Sequence, residues 1–181
     1  MTVYRRVLIL GGARSGKSRT ALQLAESASS ERIYIATAQA FDDEMRERIA
    51  QHQAERDGSW RTVDAPLDLA QAVQAQTAPG KAVLVDCLTL WLSNIVLAEH
   101  DLARAADRLV ETVRDARGPL ILVSNEVGQG IVPSTPLGRR FRDDQGRLNQ
   151  RIAEVCDAVV FVAAGCPILL KPAPPLQLRL E

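Results

Sequence analysis

The chain has 181 residues, 46% hydrophobic and 24% charged, which suits one soluble unit with enough apolar side chain to build a core. Its 22 Lys and Arg cancel its 22 Asp and Glu. No global field therefore draws it to nucleic acid or an anionic membrane, and any anion must be held by a local site.

Arg5 and Arg6 precede the apolar run Val7–Leu10, which is too short for a signal-peptide core. No run approaches the ~20 apolar residues of a membrane span, so a cytoplasmic location with no integral membrane segment is expected. Val7–Leu10 stops at Gly11-Gly12 and reads as a strand buried on both faces, as in a parallel sheet. Lys17 to about Ala28 reads as a helix and Ile33–Ala36 as a second strand. Phe41 to about Arg56 is charged and helical. Phe41, Met45, Ile49 and His52 share one of its faces, and Gly58 ends it. Trp60–Val63 is a short strand and Leu67–Gln76 a helix. Ala82–Val85 is a buried strand closing on Asp86.

Leu88–Glu99 and Leu102–Ala116 read as helices, with Asp101 as N-cap of the second. Leu120–Val123 is another apolar strand, closing on Ser124-Asn125-Glu126. Val127–Pro136 is a loop, Gly138–Val155 a basic helix or loop plus helix, and Ala158–Ala163 a late buried strand. Pro172, Pro174 and Pro175 keep the tail out of helix and mid-sheet. Strands alternating with helices imply an α/β fold, a mostly parallel sheet covered on both faces. The expected organisation is a single P-loop nucleotide-binding domain over residues 1–171 and a Pro-rich tail over 172–181. Cys87, Cys156 and Cys166 lack metal-like spacing, and their odd number argues for reduced, mostly buried thiols.

Gly11-Gly12-Ala13-Arg14-Ser15-Gly16-Lys17-Ser18 satisfies G-x-x-x-x-G-K-[ST] at every fixed position. The glycines let the backbone turn successive N–H groups toward phosphate oxygens. The helix that follows adds its unpaired amides and the positive end of its dipole. Lys17 reaches the β- and γ-phosphates, and Ser18 offers a hydroxyl to Mg²⁺. An apolar strand before the loop and a helix after it are the context this motif needs. Asp86, at the carboxyl end of a buried strand, is the candidate acid for the metal. Glu126 ends the next strand in the same way, as a second metal ligand, a general base or a loop anchor.

The two histidines read differently. His100 sits at a helix break and belongs to the surface; His52 lies on the apolar face of the charged helix. There it is either a partly buried structural residue or a nucleophile, since neutral imidazole attacks phosphorus to give a phosphoramidate. Arg46, Arg48, Arg56 and Arg61 surround it, and Arg139, Arg140, Arg142, Arg147 and Arg151 form a second cluster. That second cluster is either a phosphate or intersubunit site or a solvated helix face.

Several segments together resemble the bifunctional adenosylcobinamide kinase/adenosylcobinamide-phosphate guanylyltransferase family of cobalamin biosynthesis. They are Leu10–Arg19, Tyr34–Ala38, Asp42–Met45, Arg48-Ile49 running to His52, Arg56, Trp60–Thr62, Asp86–Thr89, Ser124–Gly128, Gly130–Pro133, Phe141–Asp143 and Gly146–Gln150. The likeness runs in order to about Lys171. It implies a RecA-like P-loop fold assembled as a homotrimer, with Mg²⁺ as cofactor and GTP and ATP as substrates. It implies two reactions: phosphorylation of the aminopropanol hydroxyl of adenosylcobinamide, then transfer of GMP from GTP through a guanylyl-histidine to the cobinamide phosphate. On this chain the resemblance makes His52 the guanylylated residue. It gives nucleotide contacts to Gly11–Ser18 (with Ala13, Arg14 and Ser15), to Thr37, Ala38 and Gln39, and to Arg56, and sets Asp86 beside the metal or nucleotide. Relatives with two adjacent histidines here differ from the Gln51-His52 of this chain, which leaves His52 as the imidazole within reach. Asp57-Gly58 stands where relatives often have proline. The competing readings are a monofunctional P-loop kinase with a structural His52, and a non-enzymatic nucleotide switch.

Overall fold

The computed structural model describes residues 3–40, 42–54 and 56–174; for Glu44, Met45, Arg48 and His52 it describes the backbone alone. Phe41 and the rest of the Pro-rich tail lie outside the described residues. Among the described residues thirteen elements follow one another, strands mostly alternating with helices. The strands are β1 (Arg6–Gly11), β2 (Glu31–Ala36), β3 (Trp60–Asp64), β4 (Lys81–Asp86), β5 (Leu120–Asn125), β6 (Ala158–Ala163) and β7 (Cys166–Lys171). The helices are α1 (Lys17–Ala28), α2 (Asp43–Ala54), α3 (Leu69–Gln76), α4 (Leu88–Leu97), α5 (Leu102–Arg114) and α6 (Pro136–Val155).

The strands form one sheet in the order β3-β2-β4-β5-β1-β6-β7, parallel throughout except for β7. The central strands β4 and β5 are nearly continuous runs of buried Val, Leu and Ile, as a strand covered on both faces requires. On one face Ala21 and Ala25 of α1 pack with Ile9, Leu84 and Val123; their small side chains let the helix approach the strands closely. On the other face Leu69, Leu92, Leu109 and Ile152, from α3 to α6, share a core with Leu8, Val85 and Leu122. Truncating one of these fully buried leucines costs about 2–5 kcal/mol.

Helix ends follow local chemistry. Asp101 caps α5 by accepting the Arg104 N–H at 3.1 Å. Thr135 caps α6 through the Gly138 N–H at 3.1 Å, with Pro136 filling the first turn, where no amide partner is needed. Helix α4 closes with Glu99 at φ 56° and the His100 N–H on the Ile95 carbonyl. His100 is exposed, as read from the sequence.

Strand β7 is the element the sequence reading leaves unassigned. Ile168, Leu169 and Leu170 are all about half exposed, so no alternation marks a buried face. Pro167 also argues against a strand, but β7 is an edge, where a missing N–H is tolerated. The hairpin turn, Ala164-Gly165, has φ of 51° and 77°, the pair of positive values that a two-residue turn of this hand demands.

Candidate nucleotide site

The carboxyl ends of the parallel strands open onto one cleft of about 1130 Å³. That exceeds the ~300–1,000 Å³ usual for a single small ligand. Its floor is the loop between β1 and α1. Gly11 is fixed by space: an added Cβ would lie 2.4 Å from the Val162 carbonyl oxygen and 2.7 Å from Ser15 Oγ. Gly16 is fixed by conformation, with φ 100° at the N-cap of α1, a region side chains avoid. The loop is also braced from the side, since the Gly165 N–H of the β6–β7 turn donates to the Ser15 carbonyl at 2.8 Å.

Lys17 is 8% exposed, and its ammonium donates to the Gly12 carbonyl across the loop at 2.6 Å. Burial lowers its pKa, partly opposed by Cys87 and Asp86. Ser18 Oγ donates to Asp86 Oδ2 at 3.0 Å, so the last residue of the motif and the acid at the end of β4 are joined. Asp86 has a second donor, the Tyr34 hydroxyl at 3.2 Å. Burial and the Asp86 charge push the Tyr34 phenol well above its ordinary pKa, keeping it a neutral donor. Arg56 lies with its guanidinium carbon 3.6 Å from the centre of the same ring, in cation–π contact, and Trp60 meets that ring edge-on.

The wall continues through Ala38 and, from α2, Ile49, Gln51 and Gln53. His52 falls between the last two on the helix; its side chain lies outside the described residues, as do those of Met45 and Arg48. Ala13, Arg14, Ser15, Arg56 and Asp86 all line the cleft. Thr37 does not: it is fully buried, and its hydroxyl accepts the Cys87 N–H and donates to the Cys87 carbonyl, both at 2.8 Å. Gln39 is half-buried beside it in the chain. Glu126 stands one residue beyond β5, its Oε1 accepting the Gly128 N–H at 2.6 Å. Cys87 is buried and its thiol is pushed up to about 12 by that burial, while Cys156 is buried and Cys166 exposed.

The second arginine cluster, on α6, makes exposed pairs with acids and carbonyls of the same chain. Arg140 and Arg147 pair with Asp144, Arg142 with Asp143 and Arg151 with Asp107, while Arg139 donates to the Pro133 and Ser134 carbonyls. Among the described residues no group of three His, Cys, Asp or Glu is gathered for a metal, and no helix is long and apolar enough to cross a membrane.

Sequence reasoning missed Tyr34 and Asn125. Tyr34 hides in an apolar strand, with nothing to mark its hydroxyl as the partner of Asp86. Asn125 lines the cleft beside the phosphate loop, whereas attention in the sequence goes to the neighbouring acid.

A family model described as cobinamide kinase / cobinamide phosphate guanyltransferase matches residues 7–170. The chain is 49% identical over 171 residues to the bifunctional adenosylcobalamin biosynthesis protein CobP of Pseudomonas aeruginosa, spanning 93% of this chain and 99% of that one. It is 39% identical over 180 residues to the bifunctional adenosylcobalamin biosynthesis protein CobU of Salmonella typhimurium, spanning 91% and 99%. Among solved structures it resembles the assembled ATPase EscN of the enteropathogenic E. coli type III secretion system, with a TM-score of 0.59 at 12% identity over 89% of this chain and 43% of that one. A second ATPase of a bacterial type III secretion system gives 0.51 at 11% identity, over 87% of this chain and 50% of that one. At such identities the structural likeness speaks for the fold, a RecA-like P-loop architecture.

Proposed function

The chain belongs to the cobinamide kinase / cobinamide phosphate guanyltransferase family, and from that premise we propose that the cleft at the carboxyl ends of the strands serves both reactions through residues of this chain. In the first, the aminopropanol hydroxyl of adenosylcobinamide bonds to the γ-phosphorus of ATP or GTP, and the diphosphate leaves. In the second, a His52 ring nitrogen bonds to the α-phosphorus of GTP and pyrophosphate leaves. A phosphate oxygen of the cobinamide phosphate then bonds to that α-phosphorus and frees the imidazole, giving adenosylcobinamide-GDP.

The observation that carries this reading is that helix α2 borders the same cleft as the phosphate loop, contributing Ile49, Gln51 and Gln53 on either side of His52. Lys17 and the amides of Gly12–Ser18 spread charge on the transferring or departing phosphates. Ser18 and Asp86 would hold Mg²⁺. The pair fits a hard cation, offering a hydroxyl and a carboxylate 3.0 Å apart and leaving other positions to phosphate and water. Bound there, the ion would supply positive charge to offset that of the phosphates. Tyr34 orients the Asp86 carboxylate through its hydroxyl, and Arg56 stacked on Tyr34 presents a cation to nucleotide.

Ala38 contacts nucleotide directly, whereas Thr37 supports the wall from behind. The bond from the Gly128 N–H favours Glu126 as the anchor of the following loop over a base in the cleft. We further propose that the chain works as a homotrimer in the cytoplasm. The half-exposed Ile168, Leu169 and Leu170 supply apolar surface suited to burial between subunits.

Incubation with GTP labelled in the α-phosphate should give a covalent adduct that is acid-labile, alkali-stable and mapped by mass spectrometry to His52, and His52→Ala should abolish it. Phosphorylated cobinamide without any adduct would leave a monofunctional kinase. An undiminished adduct on His52→Ala would sink the assignment.

A further inference from the structure

The tip of β5 lies between the two halves of the nucleotide site. In the sheet, β5 separates β4, which ends at Asp86, from β1, which ends in the phosphate loop. The register sets Asn125 opposite Gly11 on one side, while Asp86 is level with Val123 on the other. Asn125 therefore reaches two residues further into the cleft than the strand position paired with the acid. It is part of the cleft lining, where Glu126 is not.

Both backbone polar groups of Asn125 are held by side chains. Its N–H donates to Thr89 Oγ1 at 2.9 Å, at the start of α4. Its carbonyl accepts Asn149 Nδ2 at 3.1 Å, from α6. Asn149 is locked in turn. Its Oδ1 accepts Ser124 Oγ at 2.7 Å and Gln145 Nε2 at 2.9 Å, and Gln145 Nε2 also reaches Ser124 Oγ at 3.0 Å. Ser124 and Gln145 are fully buried and Asn149 is 5% exposed. Burying three polar side chains is costly unless each is bonded. Here Ser124, Asn149 and the Gln145 Nε2 are bonded, while Gln145 Oε1 has no partner, and the bonds converge on the backbone of one residue facing the cleft.

Resting on the reading above, we propose that Asn125 is a catalytic residue of the kinase step, and that Asn149, with Gln145 and Ser124, positions it. Lys17, Ser18 and Asp86 surround the β–γ end of a triphosphate, and Asn125 stands between them. Its carboxamide carries two N–H donors and one acceptor. The N–H group donates to an equatorial oxygen of the γ-phosphoryl as the hydroxyl oxygen of the substrate bonds to the γ-phosphorus. The bond from that phosphorus to the β–γ bridging oxygen breaks, the diphosphate leaves with the electron pair, and the hydroxyl proton passes to solvent. A fixed donor aimed at developing charge lowers this barrier. Attack on the α-phosphorus makes no such demand on the γ-phosphoryl, so formation of the guanylyl adduct does not depend on Asn125.

The test separates the two reactions in one preparation. With adenosylcobinamide, ATP and Mg²⁺, Asn125→Ala should lower kcat for phosphorylation roughly 100-fold, the loss typical of one fixed donor, with KM for ATP little changed. The rate of adduct formation from labelled GTP should stay within about threefold of wild type. Asn125→Asp keeps the shape but sets a negative charge beside the γ-phosphoryl, and should be at least as slow. Asn149→Ala should lower kcat about tenfold without raising KM. Equal loss of phosphorylation and adduct, or full phosphorylation by Asn125→Asp, would overturn the assignment of Asn125. Loss of thermal stability in Asn149→Ala at unchanged kcat would overturn the positioning role. A wild-type protein that phosphorylates nothing defeats the underlying reading and this inference with it, whereas active wild type beside unimpaired Asn125→Ala defeats the inference alone.

Discussion

The two ends of the parallel sheet use the same kinds of residue for different purposes. At the amino ends of the strands charged pairs serve to fasten structure. Asp157 takes the Arg6 guanidinium at 2.6 Å and the Arg5 and Arg6 N–H groups, and Lys81 pairs with Glu31 at 2.8 Å. Gly118 lies so close to Ala78 that a Cβ would sit 2.0 Å from its carbonyl oxygen. At the carboxyl ends, Asp86, Lys17, Asn125 and the loop amides also make internal contacts, but they line an open cleft. An acid at one end fastens strands together; an acid at the other is held ready for a ligand. Ligand sites at the carboxyl ends of parallel strands follow from the topology, and here the amino ends show what the same chemistry does without a cleft.

Substitutions at each end should therefore fail in different ways. The largest effect is expected from Asp86→Ala, which should slow phosphorylation about 1,000-fold. Its thermal midpoint should fall by only a few degrees, from the lost bonds to Ser18 and Tyr34, because each such bond is worth about 1 kcal/mol. Large destabilisation with retained turnover would break the comparison. Gly118→Ala, at the opposite end, should cost about 3 kcal/mol by forcing Cβ into backbone, read as a lower urea midpoint, while kcat at low temperature stays near wild type.

The smallest effect should come from Asp157→Asn, and it should depend on pH. The hydrogen bond from Arg6, foremost, holds the Asp157 carboxyl at about 2, below its ordinary 3.8. Its stabilisation is thus present in full above about pH 4 and lost as pH falls toward 2. For a partly exposed pair the gap between wild type and variant should be about 1 kcal/mol at pH 7, closing at the acid end. A gap that stays constant from pH 7 to pH 2 would show that the pair is not what ties β1 to β6.

Much of this contrast was legible in the sequence, and what was hidden has physical reasons. The phosphate loop, α1 and β6 fall where the sequence reading sets them, because buried parallel strands are continuous apolar runs and Gly11 to Ser18 is a dense motif. Asn125 was obscured because an acid at a strand end attracts notice and an amide does not; only the pairing of β5 with β1 shows which residue faces the cleft. The arginines of α6 read in one dimension as an anion site or a solvated face, and only the fold shows Asp107, Asp143 and Asp144 as their neighbours. Strand β7 escaped because a half-exposed edge lacks the alternation by which strands are read.

The turn that braces the phosphate loop bears on the order in which the protein is made. The loop is translated well before the Gly165 N–H that holds the Ser15 carbonyl. Strand β1, in the interior of the sheet, likewise has β5 and β6 as its neighbours, both from the second half of the chain. Contacts so distant in sequence close late. A nascent chain therefore carries the phosphate-binding motif long before it can hold a phosphate, and nucleotide can reward only the finished fold.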